Sequence, residues 1–324
     1  MTKIRTLLIL GAGSSMPYGF PSGESLCKKL SSFEEMSVFL PFFYKQGFSK
    51  AMLKEFCGSL RDSQQYSVDR FLYQRQEFSE IGKFAMALVL MGCEIDSNTY
   101  DSIDGQNKFG HWYRYLWNQL SSGNTWDEFK KNSVRIITFN YDRSLEHYLA
   151  RSLARLEPGR TYEAALKFIQ EILPIRHMYG QLGTLGADLD PSTKYINGSR
   201  PFENDQDGFI GAIAANGIRT IHERDQDADT LKSISDDMSW AKSVCFLGFS
   251  YDEENLNRLA LNVLEKRFAN GDRASVLGTS KGLSKYEELS VKDRFSYMGD
   301  VSEMLLPWDS LAFLRHHGVL TKAS

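Results

Sequence analysis

Thr6-Leu7-Leu8-Ile9-Leu10 runs directly into Gly11-Ala12-Gly13-Ser14-Ser15-Met16-Pro17-Tyr18-Gly19-Phe20-Pro21-Ser22. Leu7 to Leu10 is unbroken apolar sequence, the pattern of a strand buried on both faces. A Gly-rich turn ends it, and a helix is expected to begin at Ser22. This strand, turn and helix order is how a parallel sheet receives a dinucleotide. Glycine permits a tight turn and close approach to a diphosphate, while a helix N-terminus offers unpaired N–H groups. A purely structural turn has the same local grammar. The dehydrogenase fingerprint needs a third glycine where Met16 stands, and no acidic residue ending a second strand falls about 20 residues on. A hydride-transfer enzyme is disfavoured.

Beyond this run, strands are expected at Val134 to Phe139, Ile175 to Met178, Ile218 to His222, Ser243 to Gly248 and Ala274 to Leu277. Helices are expected at Ser22 to Leu30, Asp142 to Ala154, Thr161 to Ile172, Asp229 to Ala241 and Asp252 to Phe268, where apolar residues recur three or four apart. The alternation gives an α/β fold: a Rossmann-like parallel sheet with helices on both faces. Residues 33–132 are aromatic-rich with no convincing strand, and read as a helical insertion after the first βα unit. The insertion sits within one domain spanning 1–324. Gly183 to Asp207, rich in Gly, Pro, Asn and Asp, is expected to be a long surface loop.

With 42% hydrophobic and 24% charged residues the chain is globular rather than disordered. A net charge of -3 gives no whole-chain basis for nucleic-acid binding. The Lys3 and Arg5 charges ahead of Leu7 to Leu10 imitate a secretory signal, but the apolar run stops too soon. Phe84 to Cys93, the longest apolar run, has about half of the ~20 residues that span a bilayer. Cys27, Cys57, Cys93 and Cys245 are isolated, so no C-x-x-C pair builds a zinc or redox site. A cytoplasmic location without zinc is expected.

Three further segments carry polar groups at expected strand ends. Asn140-Tyr141-Asp142 follows the strand beginning at Val134; Asp142 fits a helix N-cap equally well, and Asn140 a turn. His177-Met178-Tyr179-Gly180 follows Ile175, and alternation along a strand would turn His177 and Tyr179 the same way. Gly248-Phe249-Ser250 follows the strand beginning at Ser243. Asp69, in Ser67-Val68-Asp69-Arg70-Phe71-Leu72, is expected to be a cap or salt-bridge partner. Phe109 to Trp117 packs five aromatics and reads as core or subunit interface; His316 and His317 read as solvated.

Gly11, Ala12, Gly13, Ser15, Gly19 and Pro21 match the spacing Gly-Ala-Gly-x-Ser-x-x-x-Gly-x-Pro, and the chain thereby resembles the sirtuin superfamily. Pro21-Ser22 followed by Leu26, in place of Asp-Phe-Arg, looks like its divergent bacterial members, the NAD hydrolases of anti-phage defence. The resemblance implies an Asn-x-Asp motif at Asn140 and Asp142, a catalytic histidine region at His177 and Tyr179-Gly180, and a Gly-x-Ser motif at Gly248 to Ser250. Of the two candidates His177 is the expected base, because imidazole titrates near neutrality. Ser67 to Leu72 resembles a short segment of the same proteins.

The implied activity is hydrolysis of NAD+ to nicotinamide and ADP-ribose, with NAD as substrate and no zinc. Its diphosphate would lie over Gly11, Ala12, Gly13, Ser14 and Ser15, with Ser22 at the following helix and Gly248 to Ser250 on the adenosine side. Alanine at Asn140 or His177 is expected to abolish nicotinamide release and leave folding intact. The implied partners are a homo-oligomer or a separate phage sensor, such as a HerA-type ATPase or a short Argonaute. The alternatives are a non-catalytic NAD or ADP-ribose sensor and a protein deacylase lacking zinc.

Overall fold

The computed structural model describes residues 4–95, 112–123, 125–183, 207–219, 228–299 and 301–320. Six strands form one sheet: β1 (Thr6–Leu10), β2 (Val134–Thr138), β3 (Ile175–His177), β4 (Ser243–Leu247), β5 (Ser275–Thr279) and β6 (Leu305–Leu306). Their order is β3-β2-β1-β4-β5-β6, and every pairing is parallel. This is the doubly wound Rossmann order, whose direction reverses beside β1, so the crevice for a ligand opens at the carboxyl ends of β1 and β4.

Helices cover both faces. Ile137 pairs with Arg176 and Thr138 with His177, so these neighbours on β3 point to opposite sides. Arg176 and Arg135 both reach Asp237 on the helix Ala228–Trp240, at 2.6 and 2.8 Å. His177 instead reaches Glu146 on the helix Ser144–Ala154. Leu7, Leu8, Ile9, Ile136, Ile137 and Phe246 between the layers are fully buried.

Between the first βα unit and β2, every described element of the insertion is helical. Its centre is the helix Ser79–Ile95, whose residues Phe84 to Met91 are all buried, packed among Phe43, Phe56 and Phe71. That burial accounts for the long apolar run. Among the described residues no helix is long and apolar enough to cross a membrane.

Two expectations are corrected. Ile218 makes only an isolated antiparallel bridge to Gly180, and residues 220–222 lie outside the described ones. The helix expected from Asp252 to Phe268 is two helices, Glu253–Asn257 and Leu261–Ala269, broken where Ala260 takes a φ of 50°. No glycine or proline marks that break. The two-residue strand β6 is too short to leave a periodicity. Of the loop expected at Gly183 to Asp207, residues 184–206 lie outside the described ones, as do Phe109 to His111.

Candidate functional site

The turn after β1 is tighter than a dinucleotide loop with a long helix behind it. Ala12–Ser15 is one helical turn, followed by a 3-10 turn over Met16–Tyr18 and Gly19 at φ 88°. Ser22 caps the longer helix Gly23–Ser31 by accepting from the Ser25 N–H at 3.1 Å. The glycines admit another part of the chain. A Cβ on Gly13 would lie 2.9 Å from the Cα and the oxygen of Gly248, and the Gly13 N–H donates to that oxygen at 2.9 Å. The loops after β1 and β4 are therefore pressed together, and the close approach expected for a diphosphate is made by Gly248.

Asn140 joins the glycine turn to β2. Its Nδ2 donates toward the Gly11 carbonyl at 3.1 Å, Ser14 Oγ at 3.2 Å and Ser15 Oγ at 2.9 Å. The Ser15 hydroxyl also bonds the carboxylate of Asp142, which is buried and accepts from the N–H and the hydroxyl of Ser144. Burial pushes the Asp142 carboxyl above its ordinary range, against the pull of the Ser144 and Ser15 hydroxyls. Tyr113 OH lies 2.8 Å from Ser144 Oγ, and the Trp112 indole donates to the Ser14 carbonyl at 2.7 Å. Trp112 and Tyr113 of the aromatic segment are thus core, and they brace this network. Amide, two serines and a carboxylate meet at the carboxyl ends of adjacent strands.

His177 is brought close but faces elsewhere. Its Nδ1 lies 2.8 Å from the main-chain oxygen of Asn140, and its Nε2 lies 2.6 Å from Glu146 Oε1. A main-chain carbonyl and a carboxyl group thus hold the ring from both sides. Burial opposes a charge on the ring, but the Glu146 carboxylate and the Asn140 carbonyl outweigh it and raise the pKa above the usual histidine value. His177 thereby pins the Asn140 turn, with both ring nitrogens engaged by protein partners.

Tyr179 does not share its direction, because regular strand geometry ends at His177 and Gly180 turns back at φ 74°. The Tyr179 hydroxyl donates to Asn255 Oδ1 at 2.5 Å on the helix after β4. Its ring stands 5.8 Å from Phe139, which meets Phe249 edge to face at 5.0 Å. These rings cross the top of the sheet from β3 to β4. Ser250 is exposed and outside the network.

Asp69 belongs to the site, which its sequence context did not reveal. It accepts a hydrogen bond from the hydroxyl of Tyr141, the middle residue of the Asn-x-Asp segment. Arg258 and Glu254 lie in the same electrostatic neighbourhood. Burial pushes the Asp69 carboxyl up to about 6, although the Tyr141 hydrogen bond pulls the other way. A native carboxyl pKa above the unfolded value means that folding favours the protonated acid. The stability tied to Asp69 is therefore full at low pH and is lost as pH rises from about 4 through 6. Asp69→Asn is expected to stabilise the protein at pH 8 by up to about 2 kcal/mol, allowing for partial solvent screening, and to leave it unchanged at pH 4. Thermal unfolding at both pH values checks this; an equal effect at the two would contradict it.

No protein-family model matches the chain, and no curated protein matches it. Among the described residues no group of three or more His, Cys, Asp or Glu is placed to hold a metal ion, and the four cysteines are free thiols. His316 is exposed beside Trp308, whereas His317 is half-buried against Phe313, and burial lowers its pKa.

Proposed function

We propose that the protein binds NAD across the carboxyl ends of β2, β1 and β4 and hydrolyses its bond between nicotinamide and ribose, in the manner of the bacterial sirtuin-like hydrolases. The observation that carries this reading is the single network of Asn140, Ser14, Ser15 and Asp142 at the carboxyl ends of β1 and β2, next to the topological reversal. Nicotinamide departs from NAD as a neutral molecule and needs no acid. Positive charge then grows on the ribose, as in other glycoside cleavages. Orientation and a nearby carboxylate are what such a reaction requires of the protein. Asn140 would hold the ribose and the attacking water, and Asp142, linked through Ser15, would face the cation and take the proton that water loses. His177 acts by positioning, holding the main chain of Asn140.

One observation favours a second reading. Gly13 N–H already bonds Gly248, and Phe139, Phe249 and Tyr179 lie across the edge that a dinucleotide would follow. A non-catalytic sensor of NAD or ADP-ribose would displace those rings once, on binding; a hydrolase must do so during each turnover. By resemblance, that opening would be driven by self-assembly or by a separate phage-sensing partner.

Nicotinamide release from NAD, measured with and without an acylated peptide, separates the readings. Release without peptide, falling at least about a hundredfold in Asn140→Ala, is expected for a hydrolase. Release only with peptide identifies a deacylase, and binding without release identifies the sensor.

A further inference from the structure

Tyr113 stands outside every motif that the resemblance covers, yet its hydroxyl enters the Asp142 network from the insertion. It lies 2.8 Å from Ser144 Oγ and also reaches the Ser15 hydroxyl. The ring stacks on Tyr18 with centroids 3.7 Å apart, and the Tyr113 N–H donates to the Tyr18 hydroxyl at 2.9 Å. With Tyr113 only 1% exposed, its hydroxyl is out of reach of bulk water.

Counting protons fixes the direction of each hydrogen bond. A serine hydroxyl has one proton and two lone pairs, and an ionised carboxylate can only accept. The protons of Ser144 and Ser15 therefore go to Asp142. Ser15 Oγ takes the Asn140 amide donor on a lone pair at 2.9 Å. Ser144 Oγ, its own proton committed, accepts from Tyr113. Two chains thus converge on one carboxylate, from Asn140 through Ser15 and from Tyr113 through Ser144, and each link polarises the next. Tyr113 serves only while it keeps its proton. Burial and the Asp142 charge hold its pKa well above the ordinary tyrosine value, so it remains a donor. The other titratable groups that act on Asp142 are Glu146, His177 and the Tyr18 phenol.

We propose that Tyr113 is a positioning residue for Asp142: by donating to Ser144 it aims the serine hydroxyl at the carboxylate and fixes the direction of the group assigned to take a proton from water. That assignment rests on the NAD reading; the hold of Tyr113 on Asp142 does not. Without the Tyr113 hydroxyl, Ser144 is free to turn its proton elsewhere, and a carboxylate with one donor fewer is harder to ionise. The native Asp142 carboxyl already lies above its ordinary range, so the stability tied to it falls as pH rises. A further rise deepens that loss on the alkaline side and adds little where the native carboxyl is already protonated.

Tyr113→Phe tests this, because it removes one oxygen and keeps the ring on Tyr18. Denaturant unfolding of the full chain is expected to show this variant losing more stability at pH 8 than at pH 4 relative to wild type. The difference between the two pH values should vanish when Tyr113→Phe is combined with Asp142→Asn and compared with Asp142→Asn alone. In nicotinamide release from NAD, the acid limb of kcat against pH is expected to move up by at least about half a pH unit in Tyr113→Phe, with KM unchanged. An equal loss at the two pH values, a difference that persists in the Asp142→Asn background, or an acid limb that superimposes on that of wild type would overturn the proposal. Wild-type protein that releases no nicotinamide sinks the NAD reading instead, and the unfolding comparison still decides the role of Tyr113.

Discussion

Replacing His177 by alanine is expected to cost about 3–5 kcal/mol of stability, the cost of removing one partner from a buried ion pair. Glu146 would keep its negative charge with its side chain only 12% exposed, and the Asn140 carbonyl would lose its donor. That is a large share of the ~5–15 kcal/mol that holds a domain together. A general base would behave in the opposite way, losing activity while the fold survived. The pH dependence has a definite sign. A histidine whose native pKa is raised stabilises fully below its unfolded value of about 6.5, and the contribution fades as pH rises through the native pKa. His177→Ala should therefore lose most stability at pH 6 and progressively less on the alkaline side. Denaturant titration at several pH values measures this; full stability with abolished catalysis would restore His177 as the base.

Gly248→Ala is expected to be comparably damaging for a different reason. The new Cβ would lie 2.1 Å from the Ser14 nitrogen and 2.3 Å from the Gly13 carbonyl carbon, and both are backbone atoms that cannot swing aside. Overpacking of that kind costs about 1–3 kcal/mol, and the left-handed φ of 59° adds about 1–2 kcal/mol. Gly271→Ala is the control, because φ there is 78° with nothing within 4 Å of the added carbon. It should show the backbone strain alone. If the two variants lose equal stability, the contact between the loops after β1 and β4 is not what Gly248 provides.

Parts of this architecture are legible in the sequence because the physics is local. β1, β2 and β4 are apolar runs closed by Gly11, Asn140 and Gly248, and their order with the intervening helices implies a parallel sheet. Asn140 and Asp142 stand out as polar residues at a strand end. What is not legible depends on contacts between distant segments. The Tyr141 bond to Asp69 joins residues 72 apart, one within the insertion and one after it. Glu146 looks like any charged residue in the first turn of a helix, yet it is the partner of the His177 ring. Alternation assigned His177 and Tyr179 to one side because nothing in Ile175 to Tyr179 tells where the strand stops. The break at Ala260 has no residue type to announce it.

On the proposed function, a pyridine dinucleotide occupies the carboxyl edge of the sheet and is held there by the Asn140 network. Calorimetric titration of the full chain with ADP-ribose, which retains the diphosphate and the ribose but has no nicotinamide to lose, tests it without depending on turnover. The account predicts saturable binding of one ADP-ribose per chain, weakened at least about tenfold in Asn140→Ala, the loss of roughly one charge-assisted or well-oriented hydrogen bond. Wild-type protein that takes up no ADP-ribose, or an Asn140→Ala variant that binds it equally well, would contradict it.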